Sequence, residues 1–437
     1  MSTPERPPET PEGRTTPPPV DPEQGEPTTW TARYMVYQRA GGVITPILTT
    51  LLALIIAGIV VRFTTGASPI DTGRAIVDGS GLPWLIPDSL IDIRSVANTY
   101  EFWDTEELAR NNAQVNLQQT LTIMTTLILT GLAVAFAFRC GLFNIGGQGQ
   151  FFVGAIAAVY IGAEVTGLAR GIHVPLALFC ALLAGAVWAG IAGFLRATVG
   201  AHEVISTIML NWIAYWVGSY LFSLGGPLQS DVNNQVPISN DVQESAKLHI
   251  WWQDPDKILG LHIGFFIAIA ALIAFWIILN RTTLGYEVRA VGFNPEAARY
   301  GGISVSRNYF LAMAISGAFA GLAGAIDILG WQFRYGQIDI QQSDIGFVGI
   351  AVALLGRNTS IGIFFSALLF GALLTGSNTR NLALPIEPEL AGNMTLIIQG
   401  LVVLFVAADV LVLYLWRAGR RIRMPRRRAQ PPQPAET

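Results

Sequence analysis

Ten apolar blocks recur along this chain, most of them roughly 17 to 22 residues long, the length an α-helix needs to cross the hydrocarbon core of a bilayer. They fall at 42–61, 120–138, 150–167, 174–194, 204–222, 261–279, 309–330, 345–355, 361–376 and 394–413. The pattern predicts an all-α polytopic membrane protein with about ten transmembrane helices. Composition agrees, with 51% apolar and only 13% charged residues. The eighth block is too short to span alone. It is expected to be extended by its neighbours or to be a broken helix, which a bilayer tolerates where the backbone is buried in protein.

Charge distribution tests the count independently. With the N-terminus inside, ten spans place 18 of the 27 Lys and Arg residues on the cytoplasmic side and 9 outside, as the positive-inside rule requires. Arg281, Arg289, Arg299 and Arg307 share one inside loop, and seven arginines crowd 417–428. The large loops at 62–119 and 223–260 are acid-rich and assigned outside. Residues 1–41 begin with a stretch of Pro, Thr and Glu that cannot bury enough surface to order itself, so this N-terminal segment is expected to be a disordered cytoplasmic tail. The membrane domain covers 42–415, and 416–437 forms a basic cytoplasmic C-terminal tail that suits anionic lipid. The first block has no small-residue cleavage site after it and is expected to remain a true span.

The most informative stretch is VGFNPEAARYGGI at 291–303. Asn294 can cap a helix, Pro295 suits its first position, Glu296 meets the positive end of the dipole, and Gly301 with Gly302 supplies the stop. The product is a short polar stub directly before a glycine-rich span. Two readings stand at this point, a docking element for a soluble partner and an ordinary interhelical loop.

Several absences narrow the chemistry. Asp327 and Glu164 fall near outer ends of spans and Asp409 toward the inner end of the last, which leaves no mid-membrane acid of the kind an ion-driven carrier uses. There is no GxxxxGK[ST] loop, and Lys247 and Lys257 are the only lysines. Any ATP must therefore be hydrolysed by another subunit, and no cofactor is expected here. His173, His202, His249 and His262 have no ligand spacing, and Cys140 with Cys180 suggests neither a disulfide frame nor a metal site. No nucleophile–base grouping suggests an enzyme. Small-residue pairs, Gly317 with Gly321 and Gly185 with Ala189, point to close helix packing.

Four separated motifs in a fixed order carry a resemblance. RCGLFNIGGQGQFFVGA at 139–155, HEVISTIMLNWIA at 202–214, VGFNPEAARYGGI with AISGAFAGLAG at 291–324, and GFVGIAVALLGRN at 346–358 resemble the permease subunit of bacterial ABC importers for simple sugars, nucleosides and branched-chain amino acids. GLFNIGGQGQ with EVISTIMLNWIA is most similar to the nucleoside-type permeases, with the sugar type next. The resemblance covers about 42–415, weakly over 62–119. It implies two inverted five-span halves in the bacterial inner membrane, both termini in the cytoplasm. The implied partners are a cytoplasmic ABC ATPase, a second permease subunit that is a paralogue or a second copy, and an extracytoplasmic substrate-binding lipoprotein; no nucleic acid is implied.

It also implies that the loop after the sixth span is the coupling helix seated in a groove of the ATPase. That places Asn294, Pro295, Glu296, Ala297, Ala298, Arg299 and Gly302 at the contact, and a bulky or charged residue at either alanine is expected to leave the membrane bundle intact, since neither position faces lipid. Glycine-rich 141–155 and 346–357 are the matching segments of the two halves, and such interruptions mark translocation sites. Asn144, Gln148, Gln150 and Asn211 are therefore the candidates for a neutral substrate pathway, since each can hydrogen-bond a ribose or a base. An interhelical hydrogen bond is the alternative role for Asn211.

Overall fold

The protein is described by a computed structural model over residues 50–85 apart from 61, 64, 65 and 67, then 106–253, 260–378 and positions 396, 397, 400, 401 and 404. The tail assignments at 1–41 and 416–437 and most of the 394–413 block lie outside the described residues.

The chain is built of helices α1 (Thr50–Val60), α2 (Pro69–Gly79), α3 (Glu106–Arg139), α4 (Gly147–Glu164), α5 (Arg170–Val199), α6 (Glu203–Leu221), α7 (Gly264–Arg281), α8 (Thr283–Phe293), α9 (Pro295–Tyr300), α10 (Val305–Asp327), α11 (Gln337–Gln342), α12 (Ile345–Leu355) and α13 (Ser360–Gly376). A small antiparallel hairpin, β1 (Ile250–Gln253) with β2 (Gly260–His262), precedes α7. Among the described residues, six stretches are long and apolar enough to cross a membrane: Asn112–Arg139, Arg170–Val199, Glu203–Leu221, Gly264–Arg281, Val305–Gln332 and Gln337–Leu355. This is an all-α polytopic membrane protein. The short eighth block is both extended and broken, because α11 and α12 together make a span interrupted at Ser343 and Asp344.

Local chemistry sets the helix ends. Thr282, Ser304 and Thr359 accept from backbone N–H groups in the first turns of α8, α10 and α13, and Gly200 ends α5 in the left-handed region at φ 69°. The core centres on α3, whose Leu127, Ile128, Leu132, Val134 and Phe136 are fully buried. Thr125 and Thr130 on this helix donate their hydroxyls back to carbonyls one turn earlier, which lets polar side chains sit inside an apolar bundle. Where α10 crosses α5, Gly317 and Gly321 lie against Gly185, Ala181 and Ala189, and a Cβ on Gly317 would strike the Gly185 carbonyl. The small residues expected to pack thus face one another.

The 62–119 segment differs from its expectation as a loop. The structure continues α3 back to Glu106, and α2 packs beside the same bundle, with Thr120 Oγ1 donating to the Ser80 carbonyl at 2.7 Å. Gly81 takes φ 73° with the Ala113–Leu117 backbone against it. The polar residues there had hidden a helix that runs beyond the bilayer's thickness. At the opposite end of α10, Asp327 is buried and accepts from Trp331 Nε1 at 2.9 Å, Gln332 Nε2 and Thr126 Oγ1. Its carboxylate braces the widened turn Ile328–Gln332.

Candidate functional site

After Cys140 the chain turns back into the bundle before α4 begins. Residues 141–146 run without helix, yet Asn144 sits beside Ser316, whose hydroxyl donates to the Ala133 carbonyl. Ala133 lies six residues inside the end of α3, about 9 Å at the helical rise. Non-helical backbone at that depth must find its partners within the protein. Asn144 supplies them, accepting from Gly146 N at 2.9 Å while its amide donates to Gln150 Oε1 at 2.8 Å and Ser316 Oγ at 2.7 Å. Gln150 Nε2 returns a bond to Asn144 Oδ1 at 3.0 Å.

Asn211 holds the same loop from α6. Its Oδ1 accepts from Gly149 N at 2.8 Å and its Nδ2 donates to the Ile145 carbonyl at 3.0 Å. Gln148 joins the two glycine-rich segments, since Oε1 accepts from Gly346 N at 2.6 Å and Nε2 donates to the Ser343 carbonyl at 2.6 Å. All four pathway candidates are brought together and buried. Each is also engaged within the chain, so the alternative role for Asn211 is the one its geometry supplies. What faces outward here is an aromatic stripe. Trp212, Trp216 and Tyr220 are exposed at four-residue spacing on α6, and a helix-period count of aromatics would have found them.

The stub at 294–300 forms as its residues dictate. Asn294 Oδ1 accepts from Glu296 N at 3.0 Å and Ala297 N at 3.1 Å, and Glu296 pairs with Arg299 at 3.1 Å. Pro295 takes the first position. Gly302, at φ 81°, makes the left-handed turn that ends the stub, while Gly301 keeps an ordinary φ. One expectation fails. Ala297 is exposed, but Ala298 is only 6% exposed and belongs to the core, because the turn through Gly302 folds Ile303 back so that its N–H reaches the Ala298 carbonyl at 3.0 Å. Phe293 and Tyr300, 94% and 93% exposed, flank the stub.

The two sites touch. Gly292 packs against Arg139, Cys140 and Gly141 so closely that a Cβ there would meet the Arg139 carbonyl. Asn308 ties α10 to α8 through Glu287 at 3.0 Å, and Cys140 Sγ lies 3.7 Å from the Asn308 carbonyl. The helix that leads into the stub, α8, therefore packs through Gly292 on the turn that leads directly into Asn144.

Residues 116–407 match the family model described as branched-chain amino acid transport system / permease component. The chain belongs to this permease family. Among its relatives, the guanosine ABC transporter permease protein NupP of Bacillus subtilis (strain 168) is 42% identical over 298 residues, 68% of this chain and 82% of the relative. The nucleoside ABC transporter permease protein NupB of Lactococcus lactis subsp. cremoris (strain MG1363) is 39% identical, covering 63% and 76% of the two chains. The glucose ABC transporter permease protein TsgB13 of Haloferax volcanii is 35% identical, covering 67% and 76%. No solved structure matches the chain.

Proposed function

We propose that this permease imports a nucleoside by alternating access, as one of two membrane subunits driven by a separate cytoplasmic ABC ATPase and fed by an extracytoplasmic substrate-binding lipoprotein. The termini and the α8–α9 loop lie in the cytoplasm of this reading, and the membrane is the bacterial inner membrane. The observation that carries it is the capped, exposed stub at the end of α8, a helix whose Gly292 packs on the turn before Asn144. A push on α9 has a packed route, through Gly292 to Arg139–Gly141, into the loop that Asn144, Gln150 and Asn211 hold. Asn294, Pro295, Glu296, Ala297, Arg299 and Gly302 shape the ATPase contact, with Phe293 and Tyr300 as its aromatic anchors and Ala298 as its support from beneath.

Asn144, Gln148, Gln150 and Asn211 fix the wall of the pathway, and the Trp212–Trp216–Tyr220 stripe lines it opposite the second permease subunit. Aromatic faces suit the flat base of a nucleoside. The nucleoside assignment rests on the names of the bacterial relatives; the glucose name of the archaeal one keeps a simple sugar as the second reading. The deciding experiment is uptake of labelled guanosine into vesicles holding the assembled transporter and internal ATP, with glucose and ribose as competitors. Guanosine uptake is expected to persist when the proton gradient is collapsed. Uptake displaced by the sugars supports the second reading, and uptake lost to an uncoupler at constant ATP supports an ion-coupled carrier instead.

A further inference from the structure

The face between α7 and α13 takes no part in the proposed route, and it is not smooth. A groove of about 530 Å³ lies there, walled by Leu272, Ile273 and Trp276 from α7 and by Ile361, Phe364 and Phe365 from α13. Its walls are carbon, and several of them stand open to the surroundings, Ile361 at 74% and Phe365 at 62% exposure. Two polar groups accompany them. Arg281 closes α7 with its guanidinium 5.3 Å from the centroid of the Trp276 ring, exposed and paired with no carboxylate among the described residues. Ser360, at the start of α13, lines the same groove with a buried hydroxyl oxygen that has no hydrogen-bond partner.

An apolar slot lined by an unsatisfied hydroxyl, with a cation stacked on one of its wall residues, is complementary to an amphiphile whose head is anionic. We propose that the α7–α13 groove binds a phospholipid of net negative charge, one acyl chain lying against Trp276 and Phe365 and the phosphate meeting Arg281 and Ser360. Basic pockets between membrane helices recognise anionic headgroups through the same pairing of charge and apolar wall. Trp276 holds the guanidinium in place by stacking, so Arg281 meets a headgroup at the groove's rim instead of reaching freely into water. A zwitterionic lipid fits the walls equally but loses the net attraction. The 394–413 stretch, which carries one acid, Asp409, and a second copy of the chain are the other occupants that the test separates from lipid.

The test uses the full-length protein in phosphatidylcholine vesicles doped with phosphatidylglycerol, each lipid in turn carrying a photoreactive acyl chain. Labelling of peptides containing Trp276 or Phe365 is expected to favour phosphatidylglycerol. Arg281→Gln, at an exposed position, is expected to lower that preference roughly fivefold, the effect of one basic group near a membrane surface, and Arg281→Lys to restore most of it. Ile273→Trp, which fills the slot, is expected to abolish labelling by both lipids. Equal labelling by the two lipids, or an unchanged preference in Arg281→Gln, overturns the proposal. So does a disulfide between a cysteine at Phe365 and one placed in 394–413 or in a second copy, formed in vesicles where neither lipid labels the groove.

Discussion

Ala297 and Ala298 are neighbours of identical chemistry whose side chains meet different surroundings, and the difference decides what a substitution there reports. A charge at Ala297 sits on the exposed face of α9. A charge at Ala298 enters the core with no partner, at a cost of about 3 kcal/mol or more. Ala297→Glu is expected to leave the melting temperature of the purified permease unchanged while the partner ATPase no longer co-purifies. Ala298→Glu is expected to lower the melting temperature itself, so its failure to transport carries no information about docking. Tyr300→Ala removes an exposed aromatic anchor and is expected to weaken ATPase binding about tenfold, as buried interface aromatics do when truncated. Wild-type co-purification in both Ala297→Glu and Tyr300→Ala would reduce the stub to a loop.

At the scale of helices, α5 and α10 approach through Gly185, Gly317 and Gly321, with backbone against backbone. Gly321→Val has nowhere to put its methyl groups except the Ala181 carbonyl, and overpacking of this kind costs about 1 to 3 kcal/mol or more. The variant is expected to reach the membrane in reduced amount and to melt earlier. Gly171→Val, where nothing lies within 4 Å of a Cβ, is the control expected to behave as wild type. A Gly321→Val protein as stable as that control would mean the helices do not cross there. This crossing was legible from the spacing of small residues alone, as were the capped stub and the apolar blocks that became α3 to α7, α10, α12 and α13. The re-entrant 141–146 loop was not, because nothing local distinguishes a loop on the surface from one whose bonds are supplied by Ser316 and Asn211 from distant helices. Ala298 was misplaced for the same reason, since its burial depends on a turn that folds Ile303 back over it. The outward extension of α3 was missed because polar residues at 106–119 break the apolar run without breaking the helix.

For the molecule as a whole, orientation is the property most in need of a direct measurement. A cysteine at Gln235 is expected to react with an impermeant thiol reagent in intact cells and one at Ser304 to react only after the membrane is opened. Equal labelling at both positions would remove the ten-span arrangement with both termini inside. The junction at Gln148 bears on how such a molecule moves. Helix α4 begins in the interior of the bundle, and Gln148 Oε1, at its second position, accepts from Gly346 N at the second position of α12. Each helix start carries a partial positive charge, and the bridging groups are neutral amides, while Asp344, the residue that precedes α12, sets a carboxylate at the start of that helix. One side chain thus spans both segments with two hydrogen bonds, so neither can move away from the other without breaking both, and a displacement of one is carried to the other.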